Sequence, residues 1–233
     1  MSDESLIEYD LRVKTILLAG GLGTRLREET EFRPKPMVPV GGKPILWHIM
    51  KTFAHYGHQE FIVCTGYRGD FIRQYFHEFE AMNSDFTVKI GSRERISTHG
   101  SLEESGWQVT VADTGAETMT GGRVFRVRDH IGKETFMCTY GDGLADVNIQ
   151  ELLNFHKSHG KLATVTAVRP VSRFGVLEID TKGNVESFQE KPQAEGWINA
   201  GYFVFEPKIF DYLEPNSILE REPMANLAKD GQL

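Results

Sequence analysis

The sequence predicts an α/β fold with a mostly parallel, mixed sheet covered by helices. In the first half, short apolar runs alternate with segments of helical period, the β-α-β-α order that builds a parallel sheet. The first apolar run ends in the turn Gly20-Gly21-Leu22-Gly23, and a later one ends in Gly141-Asp142-Gly143. Such turns mark the ends of strands in this class. A length of 233 residues, with 40% hydrophobic and 25% charged, suits one large α/β core.

Residues 1–12 read as a loose tail, acidic and without a signal-peptide profile, and 13–233 as a single domain. Val13 to Leu18 is the first buried strand. Gly42-Lys43-Pro44 leads into a helix from Ile45 to Tyr56. Pro44 suits its start and Gly57 its end, and Ile45, Ile49 and Phe53 share one face. Phe61 to Thr65 is a second buried strand. Phe71, Ile72, Tyr75, Phe76 and Phe79 then recur at helical spacing. Phe86, Val88 and Ile90, and later Trp107, Val109 and Val111, alternate as half-exposed strands do, with a polar exposed loop from Gly91 to Gly106 between them. Val124, Val127 and Ile131 mark a helix closed by Gly132. Phe136 to Tyr140 is a third buried strand. Asn148 caps the next helix, with Glu151 at the reciprocal position and Gly160 at the end. Ala163 to Val168 is a strand, Val176–Asp180 and Val185–Gln189 form a hairpin, and Ile198 to Phe205 is the last strand. Pro207 to Leu213 and Ile218 to Lys229 read as helical. No internal repeat or low-complexity linker divides the chain.

Composition excludes several classes of function. A formal net charge of −7 leaves no basic face for a nucleic acid. No apolar run approaches the ~20 residues of a membrane span. The two cysteines, Cys64 and Cys138, sit inside apolar runs, as buried reduced thiols of a cytoplasmic protein do. The eight histidines show no metal-ligand spacing. No Gly-x-Ser-x-Gly or cysteine–histidine pattern supports a protein nucleophile.

The strongest chemical signal is Leu17-Leu18-Ala19-Gly20-Gly21-Leu22-Gly23-Thr24-Arg25-Leu26, followed by Pro34-Lys35-Pro36-Met37. Glycines after a strand can simply make a tight turn. The dinucleotide fingerprint, however, needs a third glycine where Leu26 stands, and an acidic residue where Thr65-Gly66 stands. A Walker loop needs Ser or Thr where Pro44 follows Gly42-Lys43. What remains is a phosphate loop with its own arginine, and Arg25 can fork two N–H bonds to a phosphate. Lys35 is a surface lysine or a positioned cation. The flanking prolines favour the second reading, since each stiffens the backbone and extends the residue before it. Asp142, between glycines at a strand's carboxyl end, is a turn residue or a ligand for Mg²⁺, which takes one or two carboxylates plus phosphate oxygens. Asp146 is a partner to it or a helix-entry residue. Glu190-Lys191-Pro192 and Ile198-Asn199-Ala200-Gly201 would together supply a cation and a hydroxyl partner for a sugar phosphate. Asp113-Thr114-Gly115 and Thr120-Gly121-Gly122-Arg123 flank an acidic segment, the second opening a helix.

Taken together and in order, these segments resemble the sugar-phosphate nucleotidyltransferases, from Leu17 to Gly201. The finer pattern resembles the cytidylyl-transferring branch. It is carried by Gly66-Tyr67-Arg68-Gly69, Asp113-Thr114-Gly115, Met119-Thr120-Gly121-Gly122-Arg123, Thr139-Tyr140-Gly141-Asp142-Gly143 and Arg173-Phe174-Gly175. The resemblance implies a Rossmann-like three-layer fold. It implies transfer of a cytidylyl group from CTP to α-D-glucose 1-phosphate, giving CDP-glucose, the entry to CDP-linked 3,6-dideoxyhexoses of bacterial surface polysaccharides such as O-antigens. It further implies that Leu18, Ala19, Gly20, Gly21, Leu22, Gly23, Thr24, Arg25 and Gly141 hold the nucleotide. Arg25 and Lys35 would be the catalytic cations on its phosphates, and Thr114, Thr120 and Arg123 would lie near the base. Asp142 would bind Mg²⁺, and Glu190, Lys191 and Asn199 the sugar phosphate. A homo-oligomer, in its cytidylyl members a hexamer, is implied as well. The family's second metal aspartate follows a Trp-containing segment that does not occur before Leu233, which reads as a truncation. A UTP or dTTP enzyme, one using another sugar phosphate, and a non-catalytic nucleotide-binding relative are the alternatives.

Overall fold

The computed structural model describes residues 12–21, 33–91 and 96–233. Its centre is a six-stranded sheet in the order β7-β4-β1-β8-β12-β9. These strands are β1 (Lys14–Leu18), β4 (Glu60–Thr65), β7 (Gln108–Asp113), β8 (Phe136–Tyr140), β9 (Ala163–Val168) and β12 (Ile198–Phe205). β1 runs parallel to both β4 and β8, with Leu18 opposite Cys64 on one side and Tyr140 on the other. β4 is parallel to β7, whereas β12 is antiparallel to β8 and to β9. The mixed, mostly parallel sheet is the one the sequence predicts.

Alternation along each strand feeds two cores, one per face. Leu17, Val63, Met137 and Val204 point to one side, under α1 (Ile45–His55), α2 (Gly69–His77) and α6 (Ile149–His159). Ile16, Leu18, Cys64, Cys138 and Phe203 point to the other. There they meet α4 (Thr120–Arg126), α5 (Arg128–Ile131), the 3₁₀ turn Pro207–Tyr212 and α7 (Glu222–Lys229). The result is three layers, helix on sheet on helix. Leu46, Ile49 and Phe53 of α1 are almost wholly buried. At about 25 cal/mol per Å² of apolar surface, such side chains contribute roughly 1.5–3 kcal/mol each.

Helix ends follow local chemistry. Asn148 Oδ1 accepts from the Glu151 N–H at 3.1 Å at the start of α6, and Gly160 closes that helix at φ +64°. Pro223 sits in the first turn of α7, so the helix begins at Glu222 rather than at Ile218 as the sequence predicts. The helical run from Phe71 to Phe79 breaks at Glu78, and α3 (Phe79–Asn83) continues separately. Lys35, expected extended before Pro36, instead opens a 3₁₀ turn, Lys35–Met37. Pro36 needs no hydrogen bond at the first turn of a helix, and its ring is buried there. The stretch expected as an exposed loop from Gly91 to Gly106 holds a strand, β6 (Ile96–His99), antiparallel to β5 (Asp85–Val88). Its Ile-Ser-Thr-His sequence has no apolar alternation; backbone pairing holds it, with a hydrogen bond of 3.0 Å between Thr87 Oγ1 and His99 Nε2 across the pair. The predicted hairpin forms from β10 (Val176–Ile179) and β11 (Val185–Gln189). Two short strands, β2 (Pro39–Val40) and β3 (Lys43–Pro44), precede α1. Among the described residues no helix is long and apolar enough to cross a membrane.

Cys64 and Cys138 are buried free thiols. Burial pushes the Cys64 thiol up to about 12, against a smaller pull from the Arg123 charge, and burial raises Cys138 as well. Neither is a thiolate at neutral pH. Ellman's reagent is therefore expected to release no colour from the native protein and two equivalents after denaturation. Rapid native labelling would contradict this burial.

Candidate functional site: a cleft at the switch point of the sheet

The chain leaves β1 toward β4 on one side, while β8 lies on the other. The carboxyl end of β1 is thus a switch point, where open α/β sheets form a crevice for ligands. Gly141 N–H donates to Leu18 O at 2.9 Å, and Ala19 N–H to Cys64 O at 3.0 Å, so all three strand ends are held together. A β-carbon on Gly141 would stand 3.1 Å from that of Ala19, so glycine permits the approach. A cleft of about 240 Å³ opens here, floored by the backbone of Leu18, Ala19, Gly20 and Gly21. Lys35, Pro36, Asp142, Thr118, Met119, Thr120, Arg123 and Tyr140 complete its lining.

Lys35 comes from the 3₁₀ turn Lys35–Met37 and Asp142 from just after β8, yet Lys35 Nζ lies 2.7 Å from Asp142 Oδ2. Their side chains are 28% and 36% exposed, so both charges face solvent through the cleft. The cation read as a phosphate contact and the carboxylate read as a metal ligand therefore meet. Leu22, Gly23, Thr24 and Arg25 lie outside the described residues.

Arg123 is 3% exposed and turns its guanidinium into the protein. Nη1 donates to Thr65 O at 3.0 Å, Thr114 Oγ1 at 2.7 Å and Gly115 O at 2.9 Å, and Nη2 donates to Gly20 O at 2.9 Å. One side chain thus clamps the ends of β1, β4 and β7. Burial lowers its pKa, but a guanidinium stays charged at neutral pH. A β-carbon on Gly20 would overlap that guanidinium, and one on Gly66 would stand 2.6 Å from it. These glycines are glycines because an arginine passes between them. Thr114 is 1% exposed, and its hydroxyl donates to Thr65 O at 2.7 Å. Arg123 therefore reaches the cleft wall with its donors already spent on the protein, and Thr114 holds it from behind. Thr120 lines it directly.

Asn199 reaches the cleft through Tyr140, its Nδ2 donating to the phenol oxygen at 3.4 Å. Glu190 and Lys191 are exposed, with Nζ 4.0 Å from Glu190 Oε1. Among the described residues, no hydrogen bond or ion pair joins them to the cleft wall. They belong to the excursion 169–197, which leaves β9 and re-enters at Ile198, opposite Val168. β9 runs parallel to β1, so the excursion starts at the cleft's end of the sheet. Lys191 holds φ +46°, a left-handed conformation uncommon for a residue with a side chain.

Sequence reasoning gave no role to Tyr140 or Glu220. Tyr140 Oη donates to Glu220 Oε1 at 2.5 Å, and Thr120 Oγ1 to Glu220 Oε2 at 2.6 Å. Burial, and then the hydrogen bond to Glu220, raise the Tyr140 pKa. Glu220 precedes a helix in a run of charges, Glu220-Arg221-Glu222, which carries no local signal.

For a metal, Asp142 offers one carboxylate, and no group of three or more His, Cys, Asp or Glu ligands occurs among the described residues. That donor set fits Mg²⁺, which binds through one or two carboxylates plus substrate phosphates. It does not fit a closed zinc site.

A cleft at the switch point is where an open α/β sheet of this kind takes its ligand, and the chain belongs to the nucleotidyl transferase family, whose model matches residues 14–227. The chain is 45% identical over 223 residues to the "probable glucose-1-phosphate cytidylyltransferase" of Bacillus subtilis, covering 95% of this chain and 86% of that protein. It is 48% identical over 224 residues, with the same coverage, to the glucose-1-phosphate cytidylyltransferase of Salmonella typhimurium. Among solved structures, HddC from Yersinia pseudotuberculosis complexed with GMP-PN superposes with a TM-score of 0.63 at 25% identity, over 90% of this chain and 84% of that one.

Proposed function

We propose that this chain transfers the cytidylyl group of CTP to α-D-glucose 1-phosphate, giving CDP-glucose and pyrophosphate. The observation that carries the proposal is the Lys35–Asp142 pair, 2.7 Å apart, on a cleft floored by backbone at the switch point. The names of the two relatives above support the choice of substrates.

The chemistry asks little of a protein base. The attacking oxygen belongs to a phosphate monoester with a second pKa of about 6, already largely dianionic at neutral pH. That oxygen forms a bond to the α-phosphorus while the bond to the β,γ-pyrophosphate breaks, in line. The barrier lies in bringing polyanions together and spreading charge, which is positioning and electrostatics. Lys35 and Arg25 would hold the triphosphate, and the N–H groups of the Gly20-Gly21 turn would offer it further donors. Lys191 and Glu190 would meet the sugar phosphate with Asn199. Asp142 would hold Mg²⁺, which would supply further charge neutralisation.

A homo-oligomer in the cytoplasm belongs to the same reading. The excursion 169–197 exposes Phe174 (78%), Phe188 (62%) and Trp197 (69%), a concentration of apolar surface that supports self-association.

The test is pyrophosphate release with each nucleoside triphosphate crossed against several sugar 1-phosphates, with and without Mg²⁺. Release confined to CTP with glucose 1-phosphate and dependent on the metal is expected. Release with UTP or dTTP instead would move the chain to another branch. Binding without release under every condition would make it a non-catalytic relative.

A further inference from the structure

The cleft lining holds two unlike groups. In one, Lys35 and Asp142 set opposite charges 2.7 Å apart. In the other, the hydroxyls of Tyr140 and Thr120 converge on Glu220, which no motif brought into the site. The phenol donates to Oε1 at 2.5 Å and the threonine hydroxyl to Oε2 at 2.6 Å. A carboxylate only accepts, so both protons are committed to Glu220. Thr120 Oγ1 also accepts from the Leu219 N–H at 3.0 Å, which fixes that rotor, and Tyr140 Oη accepts from Asn199 Nδ2 at 3.4 Å. What each hydroxyl has left for a ligand is lone-pair capacity, not a proton.

We propose that Glu220 sets which base this cleft takes: by holding the protons of Tyr140 and Thr120, it makes that part of the lining a hydrogen-bond acceptor that selects a pyrimidine bearing an exocyclic amine. The inference rests on the cytidylyl-transfer reading and deepens it. With Lys35 and Asp142 assigned to the phosphates, the hydroxyls of Tyr140 and Thr120 are what the cleft offers the base. Cytosine presents N–H donors at its 4-position, where uracil and thymine present an acceptor oxygen. An acceptor oxygen against these hydroxyls pairs with nothing, and sites built to hydrogen-bond a donor reject the analogue that lacks it. Glu220 touches no ligand in this scheme. It is a positioning residue that acts through Tyr140 and Thr120.

The main test is Glu220→Gln. The amide keeps the shape but turns an NH₂ toward one of the hydroxyls, which sends that hydroxyl's proton back to the cleft. Pyrophosphate release is measured with CTP and with UTP, each with glucose 1-phosphate. The preference for CTP over UTP, as a ratio of kcat/KM values, is expected to fall by about tenfold or more, mainly through a higher KM for CTP. Glu220→Asp, whose head still only accepts, is expected to keep the ratio even where activity drops. A ratio unchanged in Glu220→Gln overturns the proposal.

A substrate-side measurement needs no variant. The 4-deamino analogue of CTP is expected to lose about tenfold or more in kcat/KM with the wild-type protein, and equal use of the analogue overturns the proposal. If the wild-type protein releases no pyrophosphate, the reaction assigned above fails, and calorimetric titration with CTP, UTP and the analogue still tests the base selection. Tighter binding of CTP, weakened in Glu220→Gln, supports the proposal. Equal binding of all three overturns it.

Discussion

Replacing Arg123 with methionine is expected to destabilise the protein by about 3–5 kcal/mol, because hydrogen bonds to a charged group contribute roughly 1.5–3 kcal/mol each and the loops relax only in part. The guanidinium holds Gly20 O, Thr65 O, Gly115 O and Thr114 Oγ1 together in a buried space. Methionine fills similar volume but donates nothing, leaving Gly20 O only the Tyr67 N–H and Thr65 O only the N–H and hydroxyl of Thr114. For a chain of this size, 1 kcal/mol moves the melting temperature by about 2–4 °C, so a fall of roughly 6–20 °C is expected by calorimetry. Arg123→Lys is not expected to rescue it, since one ammonium cannot occupy the planar fork between Gly20 and Gly66. A melting temperature within a degree or two of wild type would show that the clamp contributes little. Activity is expected to fall with stability, because the clamped Gly20 turn is the floor of the cleft.

Lys35→Ala is expected to do the opposite, removing activity while sparing the fold. The ion pair with Asp142 is partly exposed. Such pairs contribute about 0–1 kcal/mol, so the melting temperature should stay within about 4 °C. Loss of one positioned donor to developing charge costs about 10²–10³ in kcat, and a comparable fall in kcat/KM is expected in the pyrophosphate-release assay. Near-normal turnover by a well-folded Lys35→Ala protein would remove Lys35 from the chemistry.

The fold was legible wherever residues decide structure locally. Val13 to Leu18, Phe61 to Thr65 and Phe136 to Tyr140 are too short and apolar to be anything but buried strands. Gly57, Asn148 and Gly160 bound helices as their chemistry dictates. Errors arose where the local signal was weak or contested. β6 has no apolar pattern, so only its pairing with β5 reveals it. Lys35 precedes proline, which favours extension, but the buried Pro36 and Met37 draw the segment into a 3₁₀ turn against α1.

The site divides along the same line. Gly20, Lys35 and Asp142 could be picked out from the chain alone, because glycine turns, a proline-held lysine and an aspartate at a strand end each have a local physical meaning. Their meeting could not. Lys35 and Asp142 come together only because β1 and β8 are neighbours in the sheet, and Glu220 joins Tyr140 and Thr120 only because the segment before α7 folds back over α4. The role of Arg123 is the sharpest case. Its motif marks it for a ligand, while the packing spends its donors on the protein's own backbone. Local pattern settles which elements form and which residue types are candidates for a phosphate. Tertiary structure decided which of those residues face the cleft and which hold it from behind, because hydrogen bonds and ion pairs between distant segments depend on strand order and layer packing, which no local pattern encodes.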